Sequence, residues 1–262
     1  MRSILHGLGF LMVSVVLVGC STASRLTAVA DSAAISTAAD APRHRAGTSV
    51  DGTPMFWEHY RLPGKKPTQY DFAALQAPAQ VRARSDGSAS MLRAPVQVRP
   101  DDLGTVSFSW QVPALITNAD MGRREADDAP ARLVLAFEGD RSRFSAKDAL
   151  LSELARAITG EEMPYATLMY VWCNQRPVGS VIAHPRTDRI KAIVVESGHK
   201  TLGQWRHYQR DVAADYRKAF QEAPGTLVGV ALMTDSDNTA STATALYGAV
   251  HLRSSAEEST AH

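Results

Sequence analysis

The stretch Val106-Ser-Phe-Ser-Trp-Gln-Val112 places a large apolar residue at every second position. In an extended chain successive side chains point to opposite faces, so this alternation predicts a half-buried β-strand. Leu133, Leu135 and Phe137 repeat the pattern. Thr167–Cys173, Ile190–Val195 and Leu227–Met233 are short apolar runs rich in β-branched or aromatic residues, which predicts buried strands. Ala245–Leu252 supplies a last strand. Arg82–Arg84 and Ala89–Arg93 read as a strand pair around the turn Ser85-Asp86-Gly87. The fold class is therefore mainly β.

Two helices interrupt the strands. Ser145 can cap the first, with Asp148 three residues on, and Gly160 stops it. Leu150, Leu151, Leu154, Ala155 and Ile158 give it an apolar face. The second is expected from Leu202 to Phe220, because Trp205, Tyr208, Val212, Tyr216 and Phe220 recur at steps of three and four. Many strands with long excursions suit a sandwich. The ending Leu227–Leu252, a long apolar strand followed by an acidic Thr/Asn loop and a final strand, resembles the close of galactose-binding-type jelly rolls. That likeness implies a jelly-roll-like β-sandwich with two inserted helices.

The N-terminus has a different character. Arg2 precedes a dense apolar run, Leu11–Val18, which is shorter than the roughly 20 residues that span a bilayer and reads as an export signal. The run ends Leu17-Val-Gly-Cys20, which resembles the bacterial lipobox. The resemblance implies cleavage before Cys20 and lipidation of its sulfur, and Ser21 then implies delivery to the outer membrane, facing the periplasm. The alternative is an ordinary secretory signal with an incidental cysteine. Residues 1–19 form the signal, and 20–52, rich in Ala, Ser, Thr and Asp, a flexible tether with a reach of roughly 30 Å. Residues 53–252 form one domain, and 253–262 a polar tail. Of the two cysteines, lipidation uses one, leaving Cys173 in an apolar run as a small buried hydrophobe. Twenty-eight basic and 27 acidic residues are interspersed without a basic stripe, which argues against nucleic acid as a partner.

Five pieces in order carry a closer likeness: Arg123-Arg-Glu-Ala-Asp-Asp-Ala-Pro-Ala-Arg132, Tyr170-Val-Trp-Cys-Asn174, Thr187-Asp-Arg189, Arg210-Asp-Val-Ala-Ala-Asp-Tyr-Arg217 and Met233-Thr-Asp-Ser-Asp-Asn-Thr239. Together they resemble the bacterial domain-of-unknown-function family 3047, from about Trp57 to Leu252. The resemblance implies an exported protein and brings no activity. This chain departs from it at Ala249, where an acidic residue is expected, and at Cys173, where a small Ala is usual.

Polar residues gather in two segments. Asp120, Arg123, Arg124, Glu125, Asp127, Asp128 and Arg132 lie in a loop before a strong strand, where loop-borne sites are common. Asp235-Ser-Asp-Asn-Thr239 follows a buried strand. Oxygen-rich loops suit calcium or a polyol. No other cofactor is evident. The EF-hand pattern is absent, since Leu246 stands where its Glu belongs. Solvated loops with internal Arg–Asp pairs and side chain–backbone turns are the plainer readings. Trp172, near Cys173 and Asn174, could rim a sugar site or belong to the core. The candidate ligand-binding set is Asp127, Asp128, Arg132, Trp172, Asn174, Asp235, Asp237 and Asn238.

Ser197-Gly-His-Lys200 and Ser236-Asp-Asn238 match two penicillin-recognising patterns, but the K-T-G element is missing and the first follows a strand. Asp211 and Asp215, four apart, read as a solvated helix face rather than a catalytic pair. Three functions follow as expectations. The first is a membrane-anchored module binding an envelope glycan or polyol. The second is a hydrolase of envelope carbohydrate with an acidic pair, and the third a structural envelope protein that meets a protein partner.

Overall fold

The computed structural model describes residues 44–72, 77–78 and 80–255. The export signal, Cys20 and the first part of the expected tether lie outside these residues. In chain order the strands are β1 His44–Thr48, β2 Pro54–Arg61, β3 Gln69–Asp71, β4 Val81–Asp86, β5 Ser90–Val98, β6 Thr105–Gln111 and β7 Ala129–Phe137. Helix α1, Ala146–Thr159, follows, then β8 Ala166–Cys173, β9 Val181–Ala183, β10 Ile190–Ser197 and β11 Arg206–Asp211. Helix α2, Val212–Phe220, precedes β12 Leu227–Asp235, β13 Thr242–Tyr247 and β14 Val250–Leu252.

The strands form two packed layers, a mainly β sandwich with two helices. In the first layer β6 pairs with β11 on one side and with β13 and then β14 on the other. β13 continues to β4 and β3, while β14 runs parallel to β1. β1 pairs with β2, whose second half pairs with β5 and leads into the second layer, ordered β5-β12-β7-β8-β10-β9. All neighbours in that layer are antiparallel except β8 and β10.

The alternation read in the sequence sets which face is inside. Phe108 and Trp110 from β6 meet β8 and β11 between the layers, with Phe108 stacked on Tyr170 at 5.6 Å and on Tyr208 at 5.0 Å. Leu133, Leu135 and Phe137 join them from β7, all fully buried. Each such side chain contributes about 1.5–3 kcal/mol on leaving water. The outward face of the second layer is also apolar in part: Val134, Met169, Val171 and Val194 pack there in a separate cluster.

Several expectations need correction. β1 lies within the stretch read as tether, so the folded domain begins by His44. The strands flanking Asp86-Gly87 do not pair with each other: β4 pairs in the first layer and β5 in the second, so the turn carries the chain between layers. The second helix starts ten residues later than Leu202, at Val212. Its expected first half contains β11, because Tyr208 is needed against Phe108 and a strand on the edge of β6 places it there. Asp211 then caps α2 through the Ala214 N–H at 2.9 Å. Asp215 is buried, held by Arg210 (2.6 Å) and the Tyr170 hydroxyl (3.0 Å), and belongs to no solvated face.

Helix α1 has the expected ends. Ser145 accepts the Asp148 N–H at 3.1 Å, and Gly160 closes the helix in the left-handed region at φ +78°. Its orientation is unusual. Asp148 and Ser152 are its buried residues, with Asp148 accepting from the Ser145 and Thr187 hydroxyls. Leu150, Leu154 and Ile158 are instead 67%, 53% and 60% exposed. Among the described residues no helix is long and apolar enough to cross a membrane.

Candidate functional site

The site begins with an irregularity between β7 and β12. Met233 lies opposite Arg132, but Asp235 lies opposite Ala129, so Pro130 and Ala131 together face Thr234. Proline has no N–H to give to the ladder, which favours a bulge at this point. The Thr234 hydroxyl donates to the Pro130 carbonyl at 2.9 Å and replaces part of the lost pairing. The bulge puts Asp235 within reach of Arg132.

Arg132 donates from Nε to Asp235 Oδ1 and from a terminal nitrogen to Oδ2, both at 2.9 Å. The same terminal nitrogen reaches the carbonyl and the carboxylate of Asp127 at 3.0 and 3.2 Å. Arg132 and Asp235 are each 3% exposed. A buried guanidinium costs several kcal/mol in lost hydration, and this one is compensated by two carboxylates in bidentate and single contact. The arginine is held firmly charged by Asp235 and Asp127 despite its burial.

The two carboxylates are pushed in opposite directions. Burial raises Asp235 to about 7, helped by the neighbouring Asp128 and Asp127 carboxylates and opposed by Arg132. Burial also pushes against ionisation of Asp127, but the His184 hydrogen bond and the Arg132 charge outweigh it and hold Asp127 below its ordinary range. His184 is oriented by its own backbone turn: Nδ1 accepts the Arg186 N–H at 3.1 Å. The proton therefore sits on Nε2, which lies 3.2 Å from Asp127 Oδ2.

Asp128 has a different task. One oxygen accepts the Asn238 N–H at 3.1 Å, and the other the Thr239 N–H and hydroxyl at 2.7 and 2.6 Å. The Asn238 amide donates to the Arg124 carbonyl at 2.6 Å. Thus the Asp127–Arg132 and Asp235–Thr239 segments, distant in sequence, are stapled at one end of the second layer. Oxygens of Asp128, Asp235 and Asp237 come within 4.8 Å of one another, a separation that suits a calcium ion. Their donors are already engaged: Asp235 by Arg132, Asp128 by the loop backbone and Asp237 by Lys65. This set fits an ion-paired network better than a cation.

From this end a groove of about 710 Å³ runs over the outward face of the second layer. Its floor includes Met91, Val134, Met169 and Met233, and Leu151, Leu154 and Ile158 of α1 form a wall. Arg132 on β7 and Glu138 just past its end, six positions apart in extended chain, both line it, which gives a length of about 20 Å. Asp127, Arg132, Asp235, Asp237 and Asn238 line the groove, with Asp128 behind them. Lys65, His184 and Arg186 also line it and were not singled out in the sequence. His184 lies three residues before the Thr187-Asp-Arg189 piece, a signal visible only once the fold brings it to Asp127.

Two predicted residues lie elsewhere. Trp172 is fully buried between the layers and donates its indole N–H to the Gly198 carbonyl at 3.0 Å, so it rims no site. Its inward direction follows from the β8 alternation with Tyr170. Asn174 lines a separate polar cavity of about 670 Å³ with Asp120, Arg123 and Arg176, where its amide donates to the Ile116 and Ala119 carbonyls at 2.6 and 3.2 Å. Cys173 is a buried free thiol at that cavity, 5% exposed.

Fold and site define a mainly β, two-layer domain with a groove on the outward face of one sheet. The chain belongs to the family described as protein of unknown function DUF3047, whose profile matches residues 56–251. Among solved structures it is similar to the xyloglucanase domain of NopAA, a type three effector from Sinorhizobium fredii, in complex with cellobiose. That likeness has 9% identity and a TM-score of 0.42, covering 76% of this chain and 93% of the other. No curated protein matches the chain.

Proposed function

We propose that this protein is exported, anchored through lipid on Cys20 to the periplasmic face of the outer membrane, and binds an envelope glycan or another polyol in the groove. The observation that carries this reading is the groove itself, whose volume lies within the range of small-ligand sites. Its apolar floor suits the C–H faces of a sugar, and the Asp237–Asn238 end offers hydrogen-bonding groups for hydroxyls. Binding, not turnover, is the better account of the polar end, because Arg132 occupies both carboxylates that would do chemistry. An array of envelope polysaccharides and muropeptides tests it. Binding to at least one hydroxyl-rich ligand is expected, and it should be lost when Met233→Trp projects an indole into the groove. Absence of binding to every member, or binding that Met233→Trp leaves unchanged, contradicts it.

A hydrolase is the second reading. It is favoured by the opposite displacement of Asp127 and Asp235, the pattern by which neighbouring carboxylates divide into base and acid. Hydrolysis of an envelope glycan that disappears in Asp127→Asn would support it. Activity unchanged in an Asp127→Ala/Asp235→Ala variant removes this pair from consideration.

A further inference from the structure

Three of the five exposed large aliphatic side chains among the described residues belong to α1: Leu150, Leu154 and Ile158. The helix is attached to the body by polar contacts at its start, where Asp148 accepts from Thr187, and just past its end, where Glu161 pairs with Arg93 at 2.7 Å. Asp148, Leu151, Ser152 and Ala155 turn inward, while Leu150, Leu154 and Ile158 share the exposed side with Lys147, Glu153 and Arg156, so the helix leaves apolar side chains uncovered where a surface helix usually buries them. Leu154 and Ile158, more than half exposed among the described residues, form an apolar wall above a floor that contains three methionines. Methionine adapts its shape to apolar guests with little penalty.

The opposite end of the groove has a different character. Lys65, Arg132 and Arg186 line it together with Asp127, Asp235 and Asp237. Lys65 pairs with Asp237, and Arg132 with Asp235 and Asp127, so most of these charges are met within the protein. A polar end balanced in this way matches an uncharged head with many hydroxyls better than an anionic or cationic one. About 20 Å of strand separates Arg132 from Glu138, and Arg93, Glu138, Glu161 and Glu162 line the far end beyond the apolar wall.

We infer that the ligand of the groove is a single-chain amphiphile, with an alkyl or acyl chain lying against Leu154 and Ile158 and an uncharged, hydroxyl-rich head at the Asp237–Asn238 end. This rests on the groove being the binding site and narrows its ligand from a glycan in general to a glycan joined to an apolar chain.

The test uses the full chain carrying Cys20→Ser, so that the protein's own lipid cannot compete. Three probes are titrated by calorimetry: dodecyl maltoside below its micelle concentration, maltose, and laurate. Dodecyl maltoside is expected to bind saturably and more tightly than either part. The double variant Leu154→Gln/Ile158→Gln changes exposed positions and so keeps the fold, which circular dichroism checks. It should weaken dodecyl maltoside by about ten-fold or more, the loss expected when two aliphatic side chains leave an apolar contact. Maltose binding as tightly as dodecyl maltoside overturns the chain part and leaves the groove a glycan site. Laurate binding as tightly overturns the head part. Dodecyl maltoside binding that the double variant does not weaken overturns the placement on α1. Failure of all three probes overturns the inference, while the polysaccharide and muropeptide array decides the broader reading separately.

Discussion

The guanidinium of Arg132 meets both carboxylate oxygens of Asp235 at 2.9 Å, joining residues 103 positions apart in the chain. The contact closes a β-bulge and forms the polar end of the groove. Removing one partner leaves a buried carboxylate without its counter-charge. Arg132→Met should therefore cost about 3–5 kcal/mol in chemical denaturation. A loss below about 1 kcal/mol would show that the network does not hold this end together.

The raised Asp235 carboxyl has a sign that can be checked. Its folded-state value, about 7, lies above the ordinary 3.8. The folded state therefore keeps the proton longer than the unfolded one, and the contribution of Asp235 to stability falls as pH rises from about 4 to 7. Asp235→Asn has no such proton. The stability of the parent relative to this variant should decline across that window and level off above it, as read from urea midpoints. A parent that gains on the variant with rising pH would mean that the Arg132 pairing outweighs burial.

Asp128 holds the Asp235–Thr239 segment through three hydrogen bonds to Asn238 and Thr239. Asp128→Ala should lose about 1–3 kcal/mol and speed amide hydrogen exchange at Asn238 and Thr239 in particular. Uniform exchange across the domain, with no local increase, would show that the staple is not specific to this loop.

The two leucines Leu135 and Leu150 should respond in opposite ways. Leu135 is fully buried between the layers, and Leu135→Ala should cost about 2–5 kcal/mol. Leu150 is 67% exposed, and Leu150→Gln should change stability by no more than about 0.5 kcal/mol. A large loss from Leu150→Gln would place that side chain in a contact the fold does not show.

Local chemistry made part of this legible beforehand. The caps of α1 were readable because Ser145, Asp148 and Gly160 act on their own backbone. The alternation in β6 and β7 revealed strands because period-two burial is a local signal. What depended on distant partners was not readable. Trp205, Tyr208 and Val212 fit helical spacing, yet Tyr208 stacks on Phe108 of a strand far earlier in the chain. Nothing near Asp86-Gly87 reveals that β4 and β5 join different layers. The two acidic segments were visible, but His184, Lys65 and Arg186 join them only through tertiary pairing. The outward turn of α1 was hidden because Asp148 finds its partner at Thr187, outside the helix.

The groove reading can be tested at the methionine methyls. Met91, Met169 and Met233 line the groove, whereas Met121 lies in the same outer cluster but outside the lining. With ¹³C-methyl methionine, titration with a muropeptide mixture should shift the signals of Met91, Met169 and Met233 in a saturable way and leave Met121 unmoved. Binding detected without movement of those three methyls, or with Met121 moving in their place, would contradict the assignment of the groove as the ligand site.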